Sequence, residues 1–440
     1  MEEKIIPWII ATGNSSFYSW DKRISLLPPY SSIFFNKETW KFKIKERKIT
    51  KKEQRDFSES EYKKLLRQSL DETFSEYYLD FNKWALSLSG GHDCRGILAF
   101  LSRNKTSTIN LKTVTWGGIN EEKLRGSDAH IAKKTANYYE TQHHYYNLNH
   151  SNEKAKTVIE RFLKNGEGRI DHLTGYLDGF EMWKNIFEDK IEGLIRGNIL
   201  FSNISASSEY EIRNFMGLSL LSEFTNLKKY TYLQKLKHNL PEHIKLQNNE
   251  NLSVYRDRLL LQYRIPIVQA ALADLKFPYV EEFNPLLTNR LIDLTQMIPD
   301  NLRNNKTIFK EIVESIDPEK EYAHRSGTSS KKQFLKRKDF TTLVKEEFKV
   351  ANAKNIFPKS FLEEILHDLK ASENQKKSPF LFLKAYIIHF VRRLLPNYTK
   401  KKISKIVNKP KNLDIFTLAF RVTIICMMTR IIENDLKNKS

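Results

Sequence analysis

The sequence predicts an α/β protein: a parallel sheet of about five strands with helices on both faces, followed by a mainly helical C-terminal region. Three observations lead there. Short apolar runs of strand length alternate with amphipathic helical runs between residues 84 and 195. One of those strands ends in a glycine turn that opens directly into a helix. Beyond about residue 205 the periodicity is helical and no further strong strand signal appears.

Taken in order, residues 1–56 hold three short apolar runs, Ile5–Ala11, Ser31–Phe35 and Trp40–Ile44, broken by Pro28-Pro29 and Asn36. They read as a few strands or an extended lead-in, a first unit ending near residue 56. From Ser58 the pattern turns helical, with Tyr62, Leu65, Leu66, Leu70, Phe74, Tyr77 and Tyr78 on one face. Strand Trp84–Leu88, a helix after Cys94, strand Leu111–Trp116, a helix from Ser127 through Tyr139 and strand His143–Leu148 then alternate. A last apolar segment, Ile191–Ile195, precedes an Arg196-Gly197 turn. Such alternation predicts a parallel sheet, here the core of a domain over 57–320. The stretch Ala323–Lys338 lacks apolar periodicity and is rich in Ser, Gly and Lys, which predicts a loop opening a basic, helical region over 321–440. Within it Ile415–Ile432 is interrupted by Arg421 and Arg430 and preceded by Asp414, so it reads as a capped, buried helix rather than a membrane span.

A chain of 440 residues suffices for two domains, or for one large α/β domain with extensions. Only two cysteines occur, Cys94 and Cys426, which leaves no disulfide framework and fits a reducing compartment. The opening MEEKIIPWII carries no secretory signal, so a cytoplasmic location is expected. The net charge of +20 gathers at Lys331–Lys338 and Lys400–Lys411. Isoleucine, asparagine and lysine are abundant together, and no aromatic-interleaved basic motif accompanies the charge. A lysine-rich coding bias explains the balance better than a nucleic-acid partner.

The richest stretch is Leu86-Ser-Leu-Ser-Gly-Gly-His-Asp-Cys-Arg95. A strand, a glycine turn and a helix start together form an anion cradle: glycines let backbone N–H groups approach a phosphate, and the helix N-terminus adds partial positive charge. No Gly-Lys-Ser/Thr follows, so the pattern is not a Walker loop. The Ser89 hydroxyl and the backbone N–H groups would hold phosphate oxygens, and Asp93 would orient the loop or hold Mg²⁺. The order resembles the pyrophosphate loop of ATP pyrophosphatases, which split ATP into AMP and pyrophosphate.

Longer segments narrow the resemblance. LSLSGGHDCRGIL resembles the synthetase-domain loop of the asparagine synthetase family, whose relatives include β-lactam synthetases and lasso-peptide cyclases. In the same order, Thr113-Val-Thr-Trp-Gly117 resembles the second strand, Ser127-Asp128 with Ala132 and Ala136 the following helix, and Thr141-Gln-His-His144 the third strand. Phe283-Asn-Pro-Leu-Leu287, Met297-Ile-Pro-Asp300 and Asn305-Lys306-Thr-Ile-Phe-Lys310 are similar to the family's later motif. The resemblance covers roughly residues 60–320 and implies an adenine-nucleotide α-hydrolase-like fold that uses ATP and Mg²⁺. Carried over by position, it implies that Ser89, Gly90, Gly91, Asp93 and Cys94 form the pyrophosphate loop. Leu88 and Trp116 would present backbone groups to adenine, and Asp93 would meet the metal. Lys306 falls where the family has the lysine that stabilises the transition state, and Lys310 where it has a second cation. The physics suits that role, because adenylation builds charge on the α-phosphate and then expels pyrophosphate.

Two other residue types compete for attention. His143 and His144 are adjacent in a strand and point to opposite faces, with no Cys or carboxylate at ligand spacing, so they read as structural. Cys94 at a helix N-terminus would have a lowered pKa. The family usually has serine there, which implies a phosphate contact rather than a nucleophile.

Two departures qualify the resemblance. Glutamine-dependent members carry a catalytic cysteine as residue two and a long glutaminase domain, whereas this chain begins Met1-Glu2-Glu3 and has fewer than ninety residues before the loop. Leu26–Tyr30 and Phe34–Ile44 resemble only the tail of that domain, so glutamine is not expected as nitrogen source through this chain. At Ile195-Arg-Gly-Asn198-Ile199-Leu-Phe201 the family has an acidic pair; aligning Phe201 puts Asn198 and Ile199 there, with Glu192 or Glu209 as substitutes. The expected function is an ATP-dependent amide-forming ligase of specialised biosynthesis. It would join a carboxylate substrate to an amine from a small molecule, a peptide or a partner protein. A pyrophosphate-loop enzyme acting on tRNA, and a non-catalytic homologue, are the alternatives.

Overall fold

In the computed structural model, residues 2–46, 56–76, 79–103, 110–198, 207–317, 319, 321–324, 331–374 and 411–437 are described. Tyr77, Tyr78, Ile199, Phe201 and the basic stretch 400–410 lie outside them.

The first apolar run is a helix, α1 (Ile5–Thr12), not a strand. Every residue from Ile5 to Ala11 is buried, so the run carries no periodicity that could tell helix from strand. Gly13 ends it in the left-handed conformation (φ 74°), its N–H returning to the Ile9 carbonyl at 2.9 Å. β1 (Ser31–Asn36) and β2 (Lys41–Glu46) form an antiparallel hairpin, as the apolar runs there suggest. Its register pairs Ile33 with Ile44 and Phe35 with Phe42 on one exposed face, and Phe34 with Lys43 on the other.

α2 (Glu59–Glu76) starts at a capping box: the Ser58 N–H donates to the Glu61 carboxylate at 2.7 Å, and the Glu61 N–H donates to Ser58 Oγ at 3.3 Å. β3 (Trp84–Ser87), α3 (His92–Arg103), β4 (Lys112–Gly117), α4 (Asp128–Tyr138), β5 (Gln142–Asn147), α5 (Ala155–Gly166), α6 (Glu181–Glu188) and β6 (Gly193–Ile195) follow in the predicted alternation. A fifth strand, β7 (Glu281–Phe283), lies in the region read as purely helical. It is three residues long with one apolar side chain, too short for a period to show. The sheet is all-parallel in the order β5-β4-β3-β6-β7. Alternate residues face two separate cores, Ala85, Val114 and Leu194 one, Leu86, Leu88 and Ile195 the other, so helices cover both faces. This is the α/β architecture expected from the sequence, a five-stranded parallel sheet with helices on both faces and a mainly helical region after it.

The helical region comprises α7 (Glu209–Met216), α8 (Thr231–Lys235), α9 (Leu252–Leu259), a π-helical stretch Leu260–Gln269, α10 (Ala270–Asp274), α11 (Asn289–Met297), α12 (Asp300–Arg303), α13 (Thr307–Ile316), α14 (Lys331–Leu335), α15 (Lys338–Ala353) and α16 (Lys359–Asn374). The loop predicted over 323–338 is corrected by α14 and by two backbone bonds: Ala323 N–H donates to Gly90 O at 3.0 Å and His324 N–H to Gly126 O at 3.2 Å. Burial of Phe334 and Leu335 supplies the order that the polar composition hides.

The C-terminal helix, Ile415–Lys437, is long and apolar enough to cross a bilayer, yet Phe416 to Thr429 are buried within the fold. Asp414 caps it, accepting the Thr417 N–H at 3.2 Å. The two arginines that break the apolar run are paired inside. Arg421 donates to Asp171 at 2.8 Å and to the Ile10 carbonyl at 2.7 Å, and Arg430 meets Glu347 at 2.9 Å. The helix packs directly on α1, so both ends of the chain build one core.

Candidate active site

The chain leaves β3 toward β4 and leaves β6 toward β7, in opposite directions from adjacent strands. A crevice therefore opens at their carboxyl ends, the usual ligand position in such sheets. It is a cavity of about 310 Å³, lined by Leu88, Ser89, Gly91, Asp93, Cys94 and Trp116 among the residues expected from the sequence. The loop after β6 closes the other side. Gly197 lets the two loops touch, since a Cβ there would lie 3.0 Å from both Asp93 Cβ and the Cys94 nitrogen.

The loop's donors are already aimed at electron-rich atoms. The Gly90 N–H donates to the Asp128 carboxylate at 3.1 Å, the Gly91 N–H to Ser89 Oγ at 3.3 Å, and the Ser89 N–H to Cys94 Sγ at 3.0 Å. An oxyanion on a loop N–H is what a phosphate cradle requires, and Asp128 shows that the geometry accepts one. Burial raises the Asp128 pKa, a cost partly offset by the Gly90 bond. Burial also raises the Cys94 thiol, which corrects the expectation of a lowered value: desolvation outweighs the helix N-terminus. Leu88 spends both backbone groups on the sheet, its N–H on Val114 O at 2.9 Å and its C=O on Thr115 Oγ1 at 2.6 Å.

Lys306 arrives from the far end of the sequence. α13 packs on α3 where Gly96 leaves room; a Cβ there would meet Val313 Cγ2 at 2.8 Å. Just before α13, Asn305 and Lys306 both adopt left-handed backbone (φ 57° and 61°), a strained arrangement for side chains of this kind. The Lys306 ammonium ion-pairs with Asp93 Oδ2. Asp93 Oδ1 stays buried with no hydrogen-bond partner. Lys310 stands outside the cavity wall, its Nζ donating to Asn305 Oδ1 at 3.1 Å.

Behind the loop a strap formed around 321–324 holds it from the side away from the cavity. Arg95, wholly buried, donates to Thr135 Oγ1 at 2.9 Å and to the Glu321 carbonyl at 2.7 Å, and pairs with Asp317 at 3.2 Å. The Tyr322 ring lies between that guanidinium (4.2 Å) and the His92 ring, stacked at 3.8 Å. Gly90 faces this strap, where a Cβ would lie 2.3 Å from Ala323 Cβ.

Several acids fall elsewhere than expected. Glu192 pairs with Lys83 at 3.1 Å and Glu209 with Arg213 at 3.3 Å, and neither lines the cavity. Among the described residues the acidic groups there besides Asp93 are Glu121, which sequence reasoning passed over, and Asp128, which it placed in a helix motif and not in the site. Asn198 does line the cavity and donates to Asn284 Oδ1 at 2.8 Å, joining the β6 turn to the Asn-Pro-Leu segment. Its neighbour Ile199 lies outside the described residues. His143 accepts or donates at Nδ1 to Thr113 Oγ1 at 2.9 Å, within the sheet. Among the described residues no three His, Cys, Asp or Glu side chains are grouped to hold a metal by themselves. The unpartnered Asp93 oxygen fits one coordination position of a Mg²⁺ that arrives on phosphate oxygens, the usual way this ion is held.

No protein-family model matches the sequence, and no curated protein matches it. Among solved structures the chain is similar to the U34-tRNA thiolase NcsA from Methanococcus maripaludis, determined with its [4Fe-4S] cluster. The identity is 14% over 75% of this chain and 89% of that one, with a TM-score of 0.27. A likeness this loose carries no argument, and the fold stands on strand order and loop geometry.

Proposed function

We propose that the protein is an ATP-dependent amide-bond-forming ligase, resembling asparagine synthetases, that activates a carboxylate as its acyl-adenylate and releases pyrophosphate. The observation that carries this reading is the Lys306–Asp93 pair set against the glycine loop at the crevice between β3 and β6. Ser89 and the Gly90 and Gly91 N–H groups would hold the β- and γ-phosphate oxygens, displacing the Asp128 carboxylate from Gly90. Lys306, held by α13 and largely buried, would place its ammonium where charge builds as the α-phosphate is attacked and pyrophosphate leaves. Asp93 orients that ammonium and offers its free oxygen to Mg²⁺, which when bound neutralises phosphate charge. The acid would enter from the open side of the cavity. An amine from a small molecule, a peptide or a partner protein would then take the acyl group.

The test is carboxylate-dependent exchange of labelled pyrophosphate into ATP. Exchange that requires one acid from a pool supports the reading; no ATP binding and no exchange with any acid would retire it. The tRNA alternative is supported by the net charge of +20. A sulfur-transfer chemistry built on a four-cysteine cluster is not, because the chain has two cysteines and both are buried apart in different cores.

A further inference from the structure

Half of the large apolar side chains that stand exposed among the described residues fall within residues 24–44, and most of those belong to the β1–β2 hairpin. Every residue of β2 and all but the first of β1 are exposed, so the hairpin projects from the body instead of packing on it. A cavity of about 930 Å³, lined by Phe34, Lys45, Leu261 and Pro266, separates its base from the π-helical stretch. The register sorts the side chains. Ile33, Phe35, Phe42 and Ile44 share one face, while Phe34 sits on the other with Lys41, Lys43 and Lys45. Trp40, 81% exposed, stands at the turn and packs edge to face on Phe35 at 5.8 Å. The turn is already ordered: the Asn36 side-chain oxygen accepts the Glu38 and Thr39 N–H groups at 2.9 and 2.8 Å. Lys37, Lys41, Lys43 and Lys45 are all exposed, against Glu38 and Glu46 as the acids of the hairpin.

We infer that the β1–β2 hairpin is a membrane-surface anchor: its aromatic tip enters the headgroup boundary of a bilayer that carries anionic lipids, and its exposed lysines meet the headgroups. A folded body seldom leaves so dense an apolar patch open unless something covers it. The distribution of the patch says what does. Apolar groups lie on both faces of the hairpin and at its turn, so one flat protein surface would cover only part of them, whereas a lipid interface surrounds a projecting tip on every side. An indole is at home where headgroups meet acyl chains. Lysine stems lie along the apolar layer while their ammonium groups reach anionic headgroups, which supplies the charge complement. A second copy of this chain fits poorly, because it would set the same lysines, on a body of net charge +20, against the first. The inference does not depend on the adenylating reading, since no hairpin residue lines the crevice.

The test is sedimentation of the full chain with vesicles of phosphatidylcholine, alone or with about one-third phosphatidylglycerol. The mixed vesicles should bind about tenfold or more tightly than the neutral ones. Trp40→Ser combined with Phe42→Ser keeps every charge, and should weaken binding to the mixed vesicles about tenfold or more. Both side chains are exposed, so the melting temperature should match the parent; Trp40→Ser alone, at the turn, is the milder second variant and should lose about threefold. Lys41→Glu combined with Lys43→Glu should weaken binding to the mixed vesicles about tenfold or more. Undiminished binding by the Trp40 and Phe42 variants would overturn the inference, because the general positive charge of the chain would then suffice. So would the absence of vesicle binding, equal affinity for neutral and mixed vesicles, or a solution dimer that Trp40→Ser abolishes in a chain that ignores vesicles.

Discussion

At the scale of single residues, the site is a set of groups whose environment is set by burial. Lys306→Ala should leave ATP affinity within a few-fold of the parent and lower pyrophosphate exchange by about 100- to 1000-fold, the usual cost of one preorganised charge partner. A full exchange rate in that variant would refute its role. The buried Cys94 thiol, pushed up by desolvation and engaged with Ser89, should resist alkylation at pH 8 in the folded protein and react only on unfolding. Two histidines give a pH signature. Burial pushes His143 and His238 down to about 4; His238 accepts the Leu221 N–H at 3.2 Å and packs on Trp8 at 4.4 Å. Unfolded, both charge near 6.5, so the unfolded chain takes up protons that the folded one refuses. Stability should therefore fall as the pH drops from about 6.5 to about 4, by at most about 3 kcal/mol for each group. His238→Gln should be less stable at pH 7 but show a shallower acid slope in urea titrations. The glycine loop, Asp93 and Lys306 were legible in the sequence because each sits in a motif. Asp128 was visible only as part of a helix motif and Arg196 only as a turn residue; that both line the cavity, with Asp128 on the Gly90 N–H, depends on elements distant in sequence and leaves no local spacing.

At the scale of elements, the loop between β3 and α3 contains two glycines with different duties. A side chain at Gly90 would strike the strap at Ala323, whereas one at Gly91 would meet only Ser89 Oγ at 3.5 Å. Gly90→Ala should thus lower the melting temperature by several degrees, in line with a cost of about 1–3 kcal/mol. Gly91→Ala should melt like the parent yet, under the proposed function, bind ATP at least about tenfold more weakly, because Gly91 lines the cavity and its added methyl would hinder a phosphate approaching the backbone there. Equal melting temperatures for the two variants would count against the strap. Helices α2, α3 and α4 could be read from their helical apolar runs. β7 and the 321–324 strap could not: one is three residues long, and the other is ordered by partners far off in sequence, among them Arg95, the glycine loop, Gly126 and Lys134.

At the scale of the whole molecule, two cores flank one sheet, and the larger is closed by the two ends of the chain. The sequence predicted a buried C-terminal helix from its apolar run and Asp414, but could not say that it would seat on α1. That contact joins Arg421 to Asp171 and to the Ile10 carbonyl over hundreds of residues. Arg421→Ala should cost about 3–5 kcal/mol in urea denaturation, since it strands the buried Asp171 carboxylate with Lys331 as its remaining cation. A loss below 1 kcal/mol would show that the pair does not hold the core together. The same seating has a consequence for synthesis. The helix that completes this core comes 411 residues after the Ile10 carbonyl it binds, so the apolar side chains of α1 stay uncovered during synthesis until that helix has emerged. A chain that lacks residues 415–437 should therefore leave that surface bare and be cleaved by proteases faster than one that has them.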